Sequence, residues 1–266
     1  MKRHDHGGAP WFLVVPGALA LTFLVLPLIA LITQAPWSAF PSIFTSAAAV
    51  DALRVSLVTS VCATVLSALL GIPLAWLLAR DVLPGTALLR ALVIVPLLLP
   101  PVVCGVALLT ALGRRGLVGA YLYQGPGVQI PFTTLAVVLA EAFVAMPFLI
   151  ITMEGGFRLL HRRFEDAAAT LGATSWTTFR RVTLPMVAPS AIAGIVLCWG
   201  RALGEFGATI TFAGNFPGVT QTMPLAVYTA MERDRSVAVA LSILLLGVSV
   251  TVLVALRGRY LSTRAS

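Results

Sequence analysis

FEDAAATLGATSWTTFRRVTLPMVAP, residues Phe164 to Pro189, is the longest stretch without membrane character between two long apolar segments. Phe164, Ala168 and Leu171 fall at helical spacing, and Ala167, Ala168 and Ala169 give that helix a small, smooth surface. Gly172 is expected to stop it, because glycine takes the left-handed conformation cheaply. Thr174 or Ser175 can cap a second short helix running to Phe179, with Arg180 and Arg181 marking its end. Leu184-Pro185 then opens the next apolar run, with proline where a helix start tolerates it. A stretch of this kind between spans is a helical hairpin on a membrane surface.

Composition agrees. Of the 266 residues 59% are hydrophobic and only 11% charged, and the mean hydropathy is +0.97. Soluble domains carry about a quarter charged residues, so the chain is expected to be an all-α polytopic membrane protein. A pI near 10.4 could suggest nucleic acid, but arginines held on one membrane face account for it, and no nucleic-acid partner is expected. Lys2 is the only lysine in the chain, so there is no P-loop. Cys62, Cys104 and Cys198 lie far apart within apolar runs, where they read as small buried hydrophobes and not as a metal or redox pair. His4-Asp5-His6 reads as a tail, and no metal site is expected.

Six apolar runs are long enough to cross a bilayer, at about 11–33, 55–79, 91–113, 132–153, 184–207 and 236–256. The first is too long for a signal-peptide core of about 7–15 residues and reads as a retained helix. Gln34 to Val50 reads as a short outer loop. Pro96, Pro100 and Pro101 should bend or break the third run, which makes Pro100 and Pro101 candidates for a pathway wall or for a packing kink. Six crossings put both termini on one face. That face would hold Lys2, Arg3, Arg80, Arg90, Arg158, Arg162, Arg163, Arg180, Arg181, Arg257, Arg259 and Arg264, against Arg54, Arg114, Arg115, Arg233 and Arg235 opposite. The positive-inside rule makes the richer face cytoplasmic, with both termini and the hairpin on it. No repeat or domain boundary interrupts residues 1–266, which read as one transmembrane domain.

Two acids and one base stand inside spans. Arg201 and Glu205 share a helical face and can pair, either facing a cavity or snorkelling at the outer interface. Gly200, Gly204 and Gly207 around them permit close helix contact. Glu141 is expected to face the bundle interior, either meeting Arg201, keeping its proton, or bonding a neighbouring backbone.

Asp166-Ala167-Ala168, Gly172 six residues after Asp166, and Val182-Thr183-Leu184-Pro185 resemble the EAA loop of ABC-importer permeases. That family usually has Glu where this chain has Asp166, although Glu165 stands just before it. The resemblance implies the type I importer-permease fold, with residues 158–183 as a cytoplasmic coupling loop. It also implies Glu165, Asp166, Ala167, Ala168, Leu171 and Gly172 as residues coupling to an ATPase subunit. A side chain at Gly172 would then push the loop out of its groove. Leu203-Gly204-Glu205-Phe206-Gly207-Ala208, Phe212 to Tyr228, Gly71-Ile72-Pro73-Leu74-Ala75 and Pro96 to Pro101 resemble molybdate-importer permeases more than sulfate/thiosulfate ones.

What this implies is a homodimeric permease in the cell membrane, served by two ATPase subunits and an extracytoplasmic oxyanion-binding protein. ATP and Mg would sit on the ATPase, with no cofactor or catalytic residue on this chain. Arg201, Gly204, Glu205, Gly207, Pro100, Pro101 and Glu141 become pathway or gate candidates. Sulfate, thiosulfate or tungstate are alternative cargoes. A secondary transporter would need a midspan coupling-ion site, for which Glu141 is the one candidate. A membrane enzyme would need a reactive cluster, which the spans lack.

Overall fold

Proline decides where these apolar runs bend, because it lacks the N–H a helix needs and its ring strikes the preceding turn. The computed structural model describes residues 11–261; Lys2, Arg3, His4, Asp5, His6 and Arg264 lie outside them. The chain begins with α1 (Trp11–Thr33), α2 (Phe40–Phe44) and α3 (Ala47–Ala79). It continues through α4 (Thr86–Leu98), α5 (Pro101–Leu112), α6 (Gly119–Gln124) and α7 (Thr134–Leu159). Then come α8 (Arg163–Thr170), α9 (Ser175–Thr178), a π-helical turn (Phe179–Thr183) and α10 (Leu184–Met186). The last helices are α11 (Ala188–Leu203), α12 (Gly207–Phe212), α13 (Met223–Met231) and α14 (Arg235–Leu261). Among the described residues there is no strand.

Four helices, α1, α3, α7 and α14, are each long and apolar enough to cross a membrane, and counting each of two bent pairs as one span gives up to six. The third expected span is one of those pairs. Leu99 is extended, Pro100 precedes α5, and the axes of α4 and α5 differ by 115°. The fifth expected span differs from its reading. Leu184-Pro185 opens only the three-residue α10, and the helix proper begins at Ala188 after a 75° bend. Pro185 and Pro189, four residues apart, both lack the N–H that would carry the ladder across this point. The expected stop at Arg180-Arg181 is likewise absent, because the chain winds on through the π turn. The second span begins earlier than expected, at Ala47, where the Ser46 hydroxyl accepts from the Ala49 N–H. The supposed outer loop 34–50 therefore contains α2 and the first turn of α3.

Helix α7 is the centre of the bundle. Ala145, Leu149, Met153 and Phe157 pack with Ala63, Ala75 and Leu78 of α3 and with Ala191, Cys198 and Ala202 of α11. Nearer the other end, Ala136, Val137, Ala140 and Val144 pack with Cys104 of α5 and Ala208 and Phe212 of α12. A third cluster joins Ala49 and Ala52 to Met223, Ala226 and Leu241. Small residues dominate because helices in lipid associate by close backbone approach. By contrast α1 buries no residue and touches only α14 appreciably. Cys62, expected to be buried, is exposed on α3, whereas Cys104 and Cys198 are buried as read.

At one end of the bundle, charged groups tie the helix ends together. Glu154 of α7 lies 2.7 Å from Arg90 and 2.8 Å from Arg158. Arg90 also reaches Asp81, at 2.7 Å, and the Leu78 carbonyl. Donation from Arg90, and then from Thr86, holds the exposed Asp81 carboxyl below its ordinary range.

Candidate functional site: a surface hairpin and an interior helix break

The hairpin begins with α8, whose first turn carries Glu165 and Asp166 where the helix dipole favours acids. It ends as the sequence predicts. Gly172 has φ +83°, its N–H donates to Ala169 O, and the Ala173 N–H donates to Ala168 O. Those two bonds are the glycine-stop motif. Thr174 then caps α9 by accepting from the Thr177 N–H. No atom lies within 4 Å of a Cβ built on Gly172, so within this chain a side chain there meets backbone strain and no collision.

The predicted coupling residues divide. Asp166 and Ala167 are exposed, Leu171 is 89% exposed and Ala168 is half-buried. Glu165 turns inward. Its Oε2 lies 2.8 Å from Arg80 Nη2, and its Oε1 accepts a 2.8 Å hydrogen bond from Thr183. Trp176, also exposed and stacked on Phe179, was missed by the sequence reading; a lone tryptophan on a polar hairpin is the signal that could have found it. Arg80 and Thr183 were missed too.

The interior constellation is built where α11 stops. Arg201 Nη1 and Glu205 Oε2 are 2.7 Å apart, and Glu205 is 1% exposed while the Arg201 side chain keeps 27%. Pairing one turn along the same stretch is therefore as predicted, but the buried carboxylate rules out a pair that merely snorkels. Glu205 Oε1 also accepts from the Ala208 N–H at 2.8 Å, so one carboxylate holds the end of α11 to the start of α12. Helix α12 lies against α5 with almost no clearance. A Cβ on Gly207 would stand 2.9 Å from Pro101 Cβ and 3.0 Å from Val102 N, and one on Gly105 would stand 2.7 Å from Thr211 Cβ. Pro101 and Gly207 are thus brought together, with Pro100 one residue before the contact. Gly200 and Gly204 do not share that role: Gly200 faces open space, and the nearest atom to a Cβ on Gly204 is its own helix's Gly200 O at 3.5 Å.

Glu141 is buried in the interior, at 1% exposure, but it does not meet Arg201. Thr59 Oγ1 bonds Glu141 Oε1 at 2.9 Å. Arg201 is already committed to Glu205, and Glu141 faces α3. Thr59 belongs to a stripe of buried hydroxyls, Ser56, Thr59, Ser60, Thr64 and Ser67, whose helical spacing was legible in the sequence. At its head Ser56 Oγ accepts from the Met223 N–H at 2.7 Å, binding the start of α13 to α3. Among the described residues no group of acids, histidines and cysteines could hold a metal.

Long apolar helices, two sharply bent helix pairs and an exposed helical hairpin define a multi-span membrane protein. The chain belongs to the family of binding-protein-dependent transport system inner membrane components, whose model matches residues 71–263. It is 43% identical over 256 residues to the molybdenum transport system permease protein ModB of Mycobacterium tuberculosis, covering 96% of this chain and 97% of that one. It is 34% identical over 234 residues to the sulfate transport system permease protein CysT of Escherichia coli, covering 86% and 84%. Among solved structures, a bacterial ABC transporter that imports the acidic polysaccharide alginate has the same fold, with a TM-score of 0.71 at 19% identity over 96% of this chain and 95% of that one. The type I importer-permease fold is therefore established.

Proposed function

We propose that this chain is the membrane subunit of an ATP-driven importer carrying a tetrahedral oxyanion, molybdate, across the cell membrane. The observation that carries the reading is the near full-length identity to a permease named for molybdenum transport, 43% against 34% for the sulfate relative. Residues 1–266 form one transmembrane domain with both termini cytoplasmic, and two copies enclose the path. Two ATPase subunits dock on the hairpins, and an extracytoplasmic protein delivers the oxyanion. ATP and Mg belong to the ATPase, since this chain has no P-loop lysine.

In this reading the loop 158–183 transmits ATPase movement through α8 and the bend before α11. Asp166, Ala167, Leu171 and Gly172 present the docking face, with Ala168 supporting it. Arg201 is the cation suited to an oxyanion, since guanidinium donates in a planar fork. Glu205 neutralises it between cargoes, and Pro100, Pro101, Gly204 and Gly207 shape the gate. Glu141 braces the interior beside it. The permease does no chemistry; it alternates between states that expose the path to opposite sides.

The test is uptake of labelled molybdate into vesicles holding the permease, its ATPase and its binding protein. Molybdate uptake that resists excess sulfate supports the reading. Uptake of sulfate with none of molybdate transfers the chain to the sulfate importers. ATP hydrolysis by the permease stripped of other subunits would refute the division of labour.

A further inference from the structure

Glu165 and Asp166 are adjacent acids in the first turn of α8, yet the fold uses them in opposite ways. Asp166 is exposed and makes no ion pair among the described residues, whereas the Glu165 side chain keeps only 18% exposure. The backbone of α8 packs on α9 and the π turn and does not pack closely on α3. A cleft of about 260 Å³ lies where the end of α3, α8 and the second limb of the hairpin meet, lined by Trp76, by Glu165, Asp166 and Ala169, and by Thr178, Phe179 and Thr183 among others. Glu165 reaches across to Arg80, the residue that ends α3, whose side chain is 8% exposed. The same carboxylate accepts from Thr183, the last residue of the π turn and 1% exposed. Arg80 is itself fixed from both sides, donating to Leu160 O and, through its carbonyl, accepting from Arg162. An ion pair sheltered from water with several partners holds more firmly than an exposed one.

We infer that Glu165 is a positioning residue that locks α8 to α3 and to the root of the fifth span, and is not a contact with the ATPase. The inference rests on the coupling role proposed for the hairpin. It assigns the acidic docking contact to Asp166 alone. It also makes the second crossing, through Arg80, a direct recipient of hairpin movement, alongside α11. Without the Arg80–Glu165 link, α8 would follow the ATPase while α3 stayed behind.

Hydrogen exchange of the α8 amides in the permease alone, in nanodiscs, tests the lock without any partner. Arg80→Ala and Glu165→Ala should each speed exchange across Ala167–Thr170 by about tenfold, the signature of a local opening made easier. Asp166→Asn should change it less than about threefold. The exchanged pair Arg80→Glu with Glu165→Arg should recover part of the protection, which a merely misfolded variant would not. With the ATPase present, Asp166→Asn should weaken its capture. Glu165→Ala should leave capture intact while lowering molybdate moved per ATP hydrolysed. Unchanged exchange in both Arg80→Ala and Glu165→Ala overturns the lock, as does lost capture in Glu165→Ala with normal exchange. Altered exchange with normal capture and normal coupling in every variant upholds the lock and removes the hairpin's coupling role instead.

Discussion

Replacing Gly207 by alanine adds one methyl group where α12 lies against α5, and its cost can be worked from the neighbouring atoms. The new carbon would stand 2.9 Å from Pro101 Cβ, 3.0 Å from Val102 N and 3.3 Å from Pro101 C. Non-bonded carbons prefer about 3.5–4.0 Å, so α12 must retreat by roughly half an ångström or more. Neither wall yields easily. Pro101 is a ring locked at the start of α5, and the α12 side is tethered by the Glu205–Ala208 hydrogen bond. Overpacking of this kind costs about 1–3 kcal/mol, which is roughly 5- to 150-fold in an equilibrium constant. Gly204→Ala is the matched control, because its Cβ meets only Gly200 O at 3.5 Å and its φ of −89° suits any residue. Thermal unfolding of both variants in detergent should show Gly207→Ala clearly lowered and Gly204→Ala within about 0.5 kcal/mol of the parent. In transport the clash penalises only states in which α12 touches α5, so Gly207→Ala should also shift the balance between conformations. Equal stability of the two variants would refute the packing argument.

Three further outcomes are expected. Gly172→Val should loosen the hairpin through its left-handed backbone, whereas Gly172→Asn, which tolerates that conformation, should retain most ATPase capture in a pull-down. Arg201→Gln strands the buried Glu205 and should destabilise the protein by about 3–5 kcal/mol; adding Glu205→Gln should recover most of that in the same unfolding assay. Asp81 has its carboxyl held below the ordinary range, so the stability it lends to the α3–α4 turn is present above that ordinary range and is lost as pH falls through the lowered folded value. Asp81→Asn should flatten this acid limb in a pH series of unfolding midpoints.

The parts of the fold legible in sequence are those decided by near neighbours. Gly172 stops α8, Pro100-Pro101 break the third crossing, and Arg201 finds Glu205 four residues on, all from local chemistry. What was not legible depends on partners distant in sequence. Glu165 turns inward because Arg80 and Thr183 await it, and Glu141 takes Thr59, 82 residues away, in place of Arg201. The glycines around Arg201 look equivalent as letters, but only Gly207 lies against another helix. Leu184-Pro185 is the expected helix start; Pro189, four residues further on, is the overlooked sign of a bend.

That bend has a mechanical consequence. The limb Ser175–Met186 stands at 75° to α11, so the two form a crank: a short arm fixed across the end of a long shaft. Twelve residues at about 1.5 Å each give an arm of roughly 18 Å, and swinging it by about 10° carries its tip roughly 3 Å. Held at that angle, the arm would turn a sideways push at the hairpin into torque on α11 about its own axis. At the far end of that shaft, Arg201 would be swept around the axis while the helix neither rises nor sinks in the membrane.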